Sequence, residues 1–348
     1  MIARRFPIKF LAALCGVLAL AFPTLAADGT PAKQLFGRKK LPSAMPAEVH
    51  GFYSKGCFSG GIAIATDGPY WQAMRLSRNR RWGHPQLIAT IDKLSRDAAE
   101  KDGWPGLLVG DLSQPRGGPM LTGHASHQIG LDADIWLTPM PNRRFSAQER
   151  ESTSAISVLK AKSVVVDPAV WTDAHGRLIM RAASYPEVQR VLVHPGIKKR
   201  LCETYKGDRS NLNKIRPYYG HHYHMHIRLR CPDGSASCRA QNAVPASAGC
   251  GKELDWWFDV ALKPKKPAKK PKKTAKPKKP KKPKHILLSD LPTACAVVLN
   301  SAGPATETEV TFQAVSGART AFAPVKPVRS PFSLPALVPV PKPRPFVQ

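Results

Sequence analysis

The chain has 348 residues, 43% of them hydrophobic, and its 53 Lys and Arg against 24 Asp and Glu give a formal charge of +29. That charge is uneven: residues 263–284 are Lys, Pro, Ala and Thr only, and removing their thirteen lysines from +29 leaves +16. Past the first residues no apolar run is long enough to span a bilayer as a helix, which excludes a bundle of membrane-spanning helices.

Arg4, Arg5 and Lys9 precede an apolar run from Phe10 to Phe22, and Thr24-Leu25-Ala26 places small residues before Ala27 and Asp28. This is the layout of a secretory signal peptide, and its apolar core is too short for a membrane span. Residues 1–26 are therefore expected to be removed on export to the periplasm. Bulky Leu14 argues against lipid attachment at Cys15. Six cysteines then remain: Cys57, Cys202, Cys231, Cys238, Cys250 and Cys295. An even number in an oxidising compartment points to disulfides, and spacing alone leaves every pairing open. Cys231 and Cys238 also admit a reading as metal ligands, which the absence of a CxxC pair weakens.

Residues 27–260 hold nearly all the Trp, Tyr, His and Cys and suit one globular domain. From Pro85 to Lys101, helical spacing of Leu87, Ile88, Ile91 and Leu94 predicts an amphipathic helix. Leu107 to Asp111, Ile135-Trp136-Leu137 and Val191-Leu192-Val193 predict short buried strands, and Leu178 to Ala183 and Ile197 to Tyr205 predict helices. The strands do not follow a regular βαβ repeat, so an α+β domain with a mainly antiparallel sheet is expected. Residues 261–284 read as an extended, self-repelling linker, 285–300 as a short segment around Cys295, and 301–348 as a disordered Pro-rich tail. A basic tract can bind phosphates, yet no aromatic residues interleave with the lysines, which argues against nucleic acid. Weak contact with anionic envelope polymers fits it better.

The strongest chemical signal is Tyr219-Gly220-His221-His222-Tyr223-His224-Met225-His226-Ile227-Arg228-Leu229. Read as a strand, it puts His222, His224 and His226 on one face and Tyr223, Met225, Ile227 and Leu229 on the core side. A surface patch that collects metals nonspecifically is the bland alternative. A catalytic metal needs a third ligand, preferably a carboxylate, and an open position for water. Gly123 to Trp136 supplies His127 and Asp134, with Gly130 permitting a turn between them. Asp134 enters an apolar run, where an unpaired carboxylate is costly and a cation removes the cost. Capping of a turn is the competing reading for this Asp.

At these residues, and at Arg80-Arg81-Trp82-Gly83-His84-Pro85, Val109-Gly110-Asp111 and Pro195 to Cys202, the sequence resembles the penicillin-insensitive murein endopeptidases. These belong with the lysostaphin-type, D-Ala-D-Ala carboxypeptidase and hedgehog-type zinc proteins. The resemblance covers roughly residues 50–260. It implies that fold, a peptidoglycan substrate, and one Zn2+ per chain held by His127, Asp134 and His226. His224 then takes the proton-handling position, His221 a further catalytic position that stabilises an oxyanion if cationic, and His124 a place beside the first ligand. Some members hold a second metal with an Asp and a His between the two motifs. Residues 158–166 contain neither. The implied disulfides are Cys57–Cys295, Cys202–Cys250 and Cys231–Cys238. The implied activity is hydrolysis of the D-alanyl-meso-diaminopimelyl cross-link. The alternatives are a carboxypeptidase acting on uncross-linked stems and an inactive peptidoglycan-binding protein of the same fold.

Overall fold

A computed structural model describes residues 29–264 and 285–313. Residues 1–26, expected to be a signal peptide, most of the lysine tract and most of the Pro-rich tail lie outside the described residues. The architecture is α+β. Its main sheet runs in the order Ile215–Pro217, Val188–Val193, His224–Leu229, Asp132–Trp136, Leu107–Val109, Trp71–Ala73 and Asp67–Gly68. Four of the six neighbouring pairs are antiparallel; Ile215–Pro217 with Val188–Val193 and Trp71–Ala73 with Leu107–Val109 are parallel. Among the described residues no helix is long and apolar enough to cross a membrane.

The helix Pro85–Lys101 forms where its apolar spacing predicts it. Pro85 opens it with a preset φ, and His84 Nδ1 accepts the Gln86 N–H at 3.2 Å as a cap. Leu87, Ile88, Ile91, Leu94 and Ala98 make its buried face. The helix Asp173–Ser184 packs against it and against the strand Val188–Val193. The helix Pro195–Thr204 follows that strand, also opened by a proline.

The two central strands pair antiparallel, with His224 opposite Trp136, His226 opposite Asp134 and Arg228 opposite Asp132. Strand alternation then sorts the chemistry. Ala133, Ile135, Met225, Ile227 and Leu229 are buried apolar core, and the polar pairs share the other face.

The six cysteines pair as Cys57–Cys295, Cys202–Cys250 and Cys231–Cys238. Residues 285–313 rejoin the domain, so its fold extends beyond residue 260. Cys295, Val298 and Leu299 pack with Ala32, Phe36 and Cys57. Thr311–Phe312 pairs parallel with Ile62–Ile64, so the tail expected to be disordered from residue 301 is folded through this strand. Buried Arg116 ties the return together, donating to the carbonyls of Val298 at 2.7 Å, Leu299 at 2.9 Å and Ser301 at 2.7 Å. A cation at those carbonyls also suits the C-terminal end of the helix Ala294–Asn300.

Cys57 and Cys295 are 238 residues apart, so their bond closes the lysine tract into a loop. Cutting that tract with trypsin should leave one species on a non-reducing denaturing gel and two after reduction. The double variant Cys57→Ser, Cys295→Ser should lose about 2–4 kcal/mol in denaturant unfolding. A fragment released without reductant would refute the link.

Candidate active site

Asp134 lies in the floor of a cleft formed by two adjoining cavities of about 340 and 450 Å³, which share Arg78, Asp111, His124, Tyr223 and His224. The strand pairing brings His226 Nδ1 to 3.2 Å from Asp134 Oδ1. His127 Nε2 lies 3.4 Å and His224 Nε2 3.6 Å from the same oxygen. His124 Nδ1 is 3.5 Å from the other oxygen, Oδ2. His124, His127 and Asp134 bring ligand atoms within 4.8 Å of one another. His127, Asp134 and His226 are buried, while the His124 side chain is 25% exposed.

His127 arrives on the loop before the Asp134 strand, with φ +66°, a left-handed conformation that a non-glycine residue holds only with support. Its N–H donates to Asp132 Oδ2 at 2.9 Å, and its carbonyl accepts the Ser113 hydroxyl. Gly117 lets the preceding loop close in: a Cβ there would lie 2.0 Å from the Gln128 carbonyl oxygen. Gly130, at φ +69°, makes the expected turn.

Asp132 is the residue that the motif reading left without a role. It is fully buried and paired with Arg228, whose Nε lies at 2.7 Å and Nη2 at 3.1 Å. Arg228 in turn lies over the Tyr53 ring at 4.2 Å. Asp132 Oδ1 is also 3.1 Å from His226 Nε2. One carboxylate therefore sets the backbone of His127 and the ring of His226. The Asp-x-Asp and His-x-His-x-Arg alternations carry this signal, since each puts its residues on one face of a strand. Burial pushes the Asp132 carboxyl up, and Arg228 and His226 outweigh it, holding the group far below the usual carboxylate range.

Asp132 lies 3.1 Å from His226 Nε2 without a well-aligned hydrogen bond, and its charge favours the tautomer protonated there, so that the Nδ1 lone pair faces an Asp134 oxygen. Two acceptors at 3.2 Å repel unless a proton or cation lies between them. Asp134 Oδ1 and His127 Nε2 are buried without a hydrogen-bond partner, a state that native structures avoid. The observed spacings match ligands sharing a cation: tetrahedral zinc with bonds near ~2.05 Å separates its ligands by about 3.3 Å. The donor set of imidazole and carboxylate fits a borderline divalent ion. In the absence of metal, burial raises the Asp134 carboxyl, and the neighbouring imidazoles, His127 and His224 foremost, outweigh it and hold the group well below its ordinary value.

Three sequence expectations change here. His222 does not join the site, because the strand begins at His224 and the left-handed His221, φ +52°, breaks the alternation before it. His222 Nδ1 instead meets Ser157 Oγ at 2.9 Å. Tyr223 is 38% exposed and lines the cleft rather than facing the core. His221 lies beside His224 and His226, with ring centroids 4.8 and 5.7 Å away. Its Nδ1 is 2.6 Å from the Tyr219 carbonyl, which can only accept, so Nδ1 carries the proton. Burial, then His226 and His224, push its pKa down to about 4, so at neutral pH its Nε2 offers a lone pair. A proton acceptor fits this geometry better than the cationic oxyanion stabiliser.

Fold and cluster together describe a metal-competent α+β domain. A profile of the family described as penicillin-insensitive murein endopeptidase matches residues 49–300. The chain is 44% identical over 209 residues to a penicillin-insensitive murein endopeptidase of Haemophilus influenzae, covering 60% of this chain and 72% of that protein. Proteins of the same name from Yersinia enterocolitica and Pectobacterium atrosepticum are each 40% identical, over 72% and 70% of this chain and 88% and 87% of theirs. The chain belongs to the penicillin-insensitive murein endopeptidase family, and it is a peptidase.

Asp132→Asn keeps size and removes charge, and should weaken metal binding in a competitive chelator titration by about 10–100-fold, as loss of such orienting partners does. Unchanged affinity would remove Asp132 from its orienting role. Asp111 accepts from Arg78, Arg80 and His124. Burial raises its carboxyl, but the His124 hydrogen bond, Arg80 and Arg78 bring it down to about 2. A folded pKa below the unfolded ~3.9 contributes stability that is present above about pH 4 and lost as pH falls towards about 2. In metal-free protein, the stability gap between wild type and Asp111→Asn should hold from about pH 7 to 5 and close below pH 4. A pH-independent gap would contradict the assignment.

Proposed function

We propose that this chain is a zinc-dependent murein endopeptidase that hydrolyses the D-alanyl-meso-diaminopimelyl amide between neighbouring stem peptides, outside the cytoplasmic membrane. The observation that carries the metal is Asp134 Oδ1, buried without a hydrogen bond and ringed by three imidazole nitrogens at 3.2–3.6 Å. The names of the relatives support the substrate class. His127, Asp134 and His226 are the proposed ligands of one zinc. His226 is preferred over His124 because its ring is buried and its Nδ1 lies 3.2 Å from the Asp134 oxygen that the other imidazoles share, whereas His124 is partly exposed and lies 3.5 Å from the other oxygen.

Zinc there would supply Lewis acidity, polarising the scissile carbonyl and acidifying water towards pKa ~7. The side chains move the protons. His224, at the cleft floor and 3.6 Å from Asp134, takes the proton of the attacking water and returns it to the leaving amine. Burial lowers its pKa, with its neighbouring histidines adding to that against Asp134, so it is neutral and ready to accept. His221, with Nε2 unprotonated, is the second acceptor. No serine acyl-enzyme forms, which leaves penicillin without a nucleophile to trap. The lysine-rich tract is proposed as a spacer with weak adhesion to anionic envelope polymers.

Alanine at His127, Asp134 or His226 should abolish zinc retention and cross-link cleavage together, read by metal analysis and product masses from defined muropeptides. His224→Ala should keep close to one zinc per chain and lose turnover by about 10²–10⁴-fold. Zinc loss on His124→Ala with retention on His226→Ala would exchange the ligands. Chelator-resistant cleavage would end the metal mechanism, and trimming of uncross-linked stems alone would make the protein a carboxypeptidase.

A further inference from the structure

The cleft carries more positive charge than its own carboxylates use. Asp111 Oδ2 alone serves Arg78 Nη1 at 3.0 Å, Arg80 Nη1 at 2.9 Å and His124 Nε2 at 3.1 Å. The Arg78 side chain remains 47% exposed. Arg75, on the same wall, has no ion-pair partner among the described residues. It donates to the Thr153 carbonyl at 2.9 Å and lies 5.9 Å from the Trp136 ring centroid. Glu151 feels both arginines, but its two oxygens accept from Ser77 N–H and Ser77 Oγ at 2.9 and 2.8 Å.

The backbone that presents these arginines is held in a rare conformation. A single turn, Leu76–Arg78, is bracketed by left-handed Arg75 (φ 58°) and Asn79 (φ 51°). Such residues persist only where surrounding bonds over-determine them. Here Arg75 N–H donates to the Arg150 carbonyl at 3.2 Å, Asn79 Oδ1 accepts from Trp82 Nε1 at 2.7 Å, and Asn79 Nδ2 donates to the Lys40 carbonyl at 3.1 Å. The result is two guanidinium groups on the wall beside His124 and His224.

Resting on the substrate reading above, we propose that Arg75 and Arg78 form a subsite for the free carboxylate of the diaminopimelyl residue that leaves on cleavage. In that cross-link the amide nitrogen sits on a carbon that also bears a free carboxylate. An anion therefore lies a few bonds from the scissile carbonyl, within reach of the cleft wall. A guanidinium matches a carboxylate with two parallel hydrogen bonds, giving register as well as charge. The subsite selects the side of the amide that leaves and rejects stems whose carboxylate is masked.

The test uses the full zinc-loaded chain and two synthetic cross-linked peptides, identical except that the diaminopimelyl carboxylate is free or amidated. For wild type, amidation should lower kcat/KM by about thirtyfold, as expected for loss of a charge-assisted pair. The Arg75→Gln, Arg78→Gln variant should lose a similar factor on the carboxylate form, carried by KM, and amidation should then change nothing further. Arg75→Lys should restore part of the preference. Zinc content should stay at the wild-type value, with Tm lowered only by loss of the Arg78–Asp111 pair; if the double variant fails to hold zinc, Arg75→Gln alone decides, since Arg75 has no ion-pair partner among the described residues to strand. Calorimetric binding of both peptides reads the same preference without turnover. A wild type that prefers the carboxylate form in binding but cuts neither keeps the subsite and refutes the proposed cleavage of this cross-link. Equal Kd for the two forms, or an arginine variant that still discriminates, overturns the subsite.

Discussion

The site depends on one cross-strand register. Pairing Asp132–Trp136 with His224–Leu229 sets Asp134 beside His226 and Asp132 beside Arg228. A slip of one residue would turn every one of these side chains into the apolar core and bring Ile135, Met225 and Ile227 to the cleft. The apolar face therefore protects the chemistry. Burying Ala133, Ile135, Met225, Ile227 and Leu229 locks the register that puts two carboxylates and two imidazoles together.

That arrangement is expensive without compensation, because buried charges need partners. Asp132 finds Arg228, the His127 N–H and His226, and is fully answered. Asp134 is not: imidazoles surround its Oδ1 at 3.2–3.6 Å, a spacing that ligands of one cation also take, and that oxygen makes no hydrogen bond. The contrast between two carboxylates two residues apart separates one that is fully partnered from one proposed as a metal ligand. Asp111 extends the same logic outward, fixing the rim histidine, His124, with Arg80 and Arg78.

Much of this was legible in the sequence. The helix Pro85–Lys101 and the buried strands follow from apolar periodicity, which local side chains carry. The His-x-His strand was legible because Met225, Ile227 and Leu229 back it. Alternation misled only upstream of His224, where a left-handed turn ends it, so His222 points to Ser157. Asp132 was hidden because its partner, Arg228, is distant in sequence. The return of residues 285–313 was hidden for the same reason: a disulfide, three carbonyls on Arg116 and a two-residue strand leave little local pattern. The cysteine pairs were open from spacing and came from family resemblance alone. Nothing in the composition of Arg75 to Asn79 announces left-handed backbone at non-glycine residues.

The most direct test of the ligand assignment is anomalous diffraction at the zinc edge from crystals of the zinc-loaded protein. A single peak about 2.0–2.2 Å from His127 Nε2, an Asp134 oxygen and His226 Nδ1 is the expected result. A peak bonded to His124 and remote from His226, or none despite bound zinc elsewhere, would contradict it.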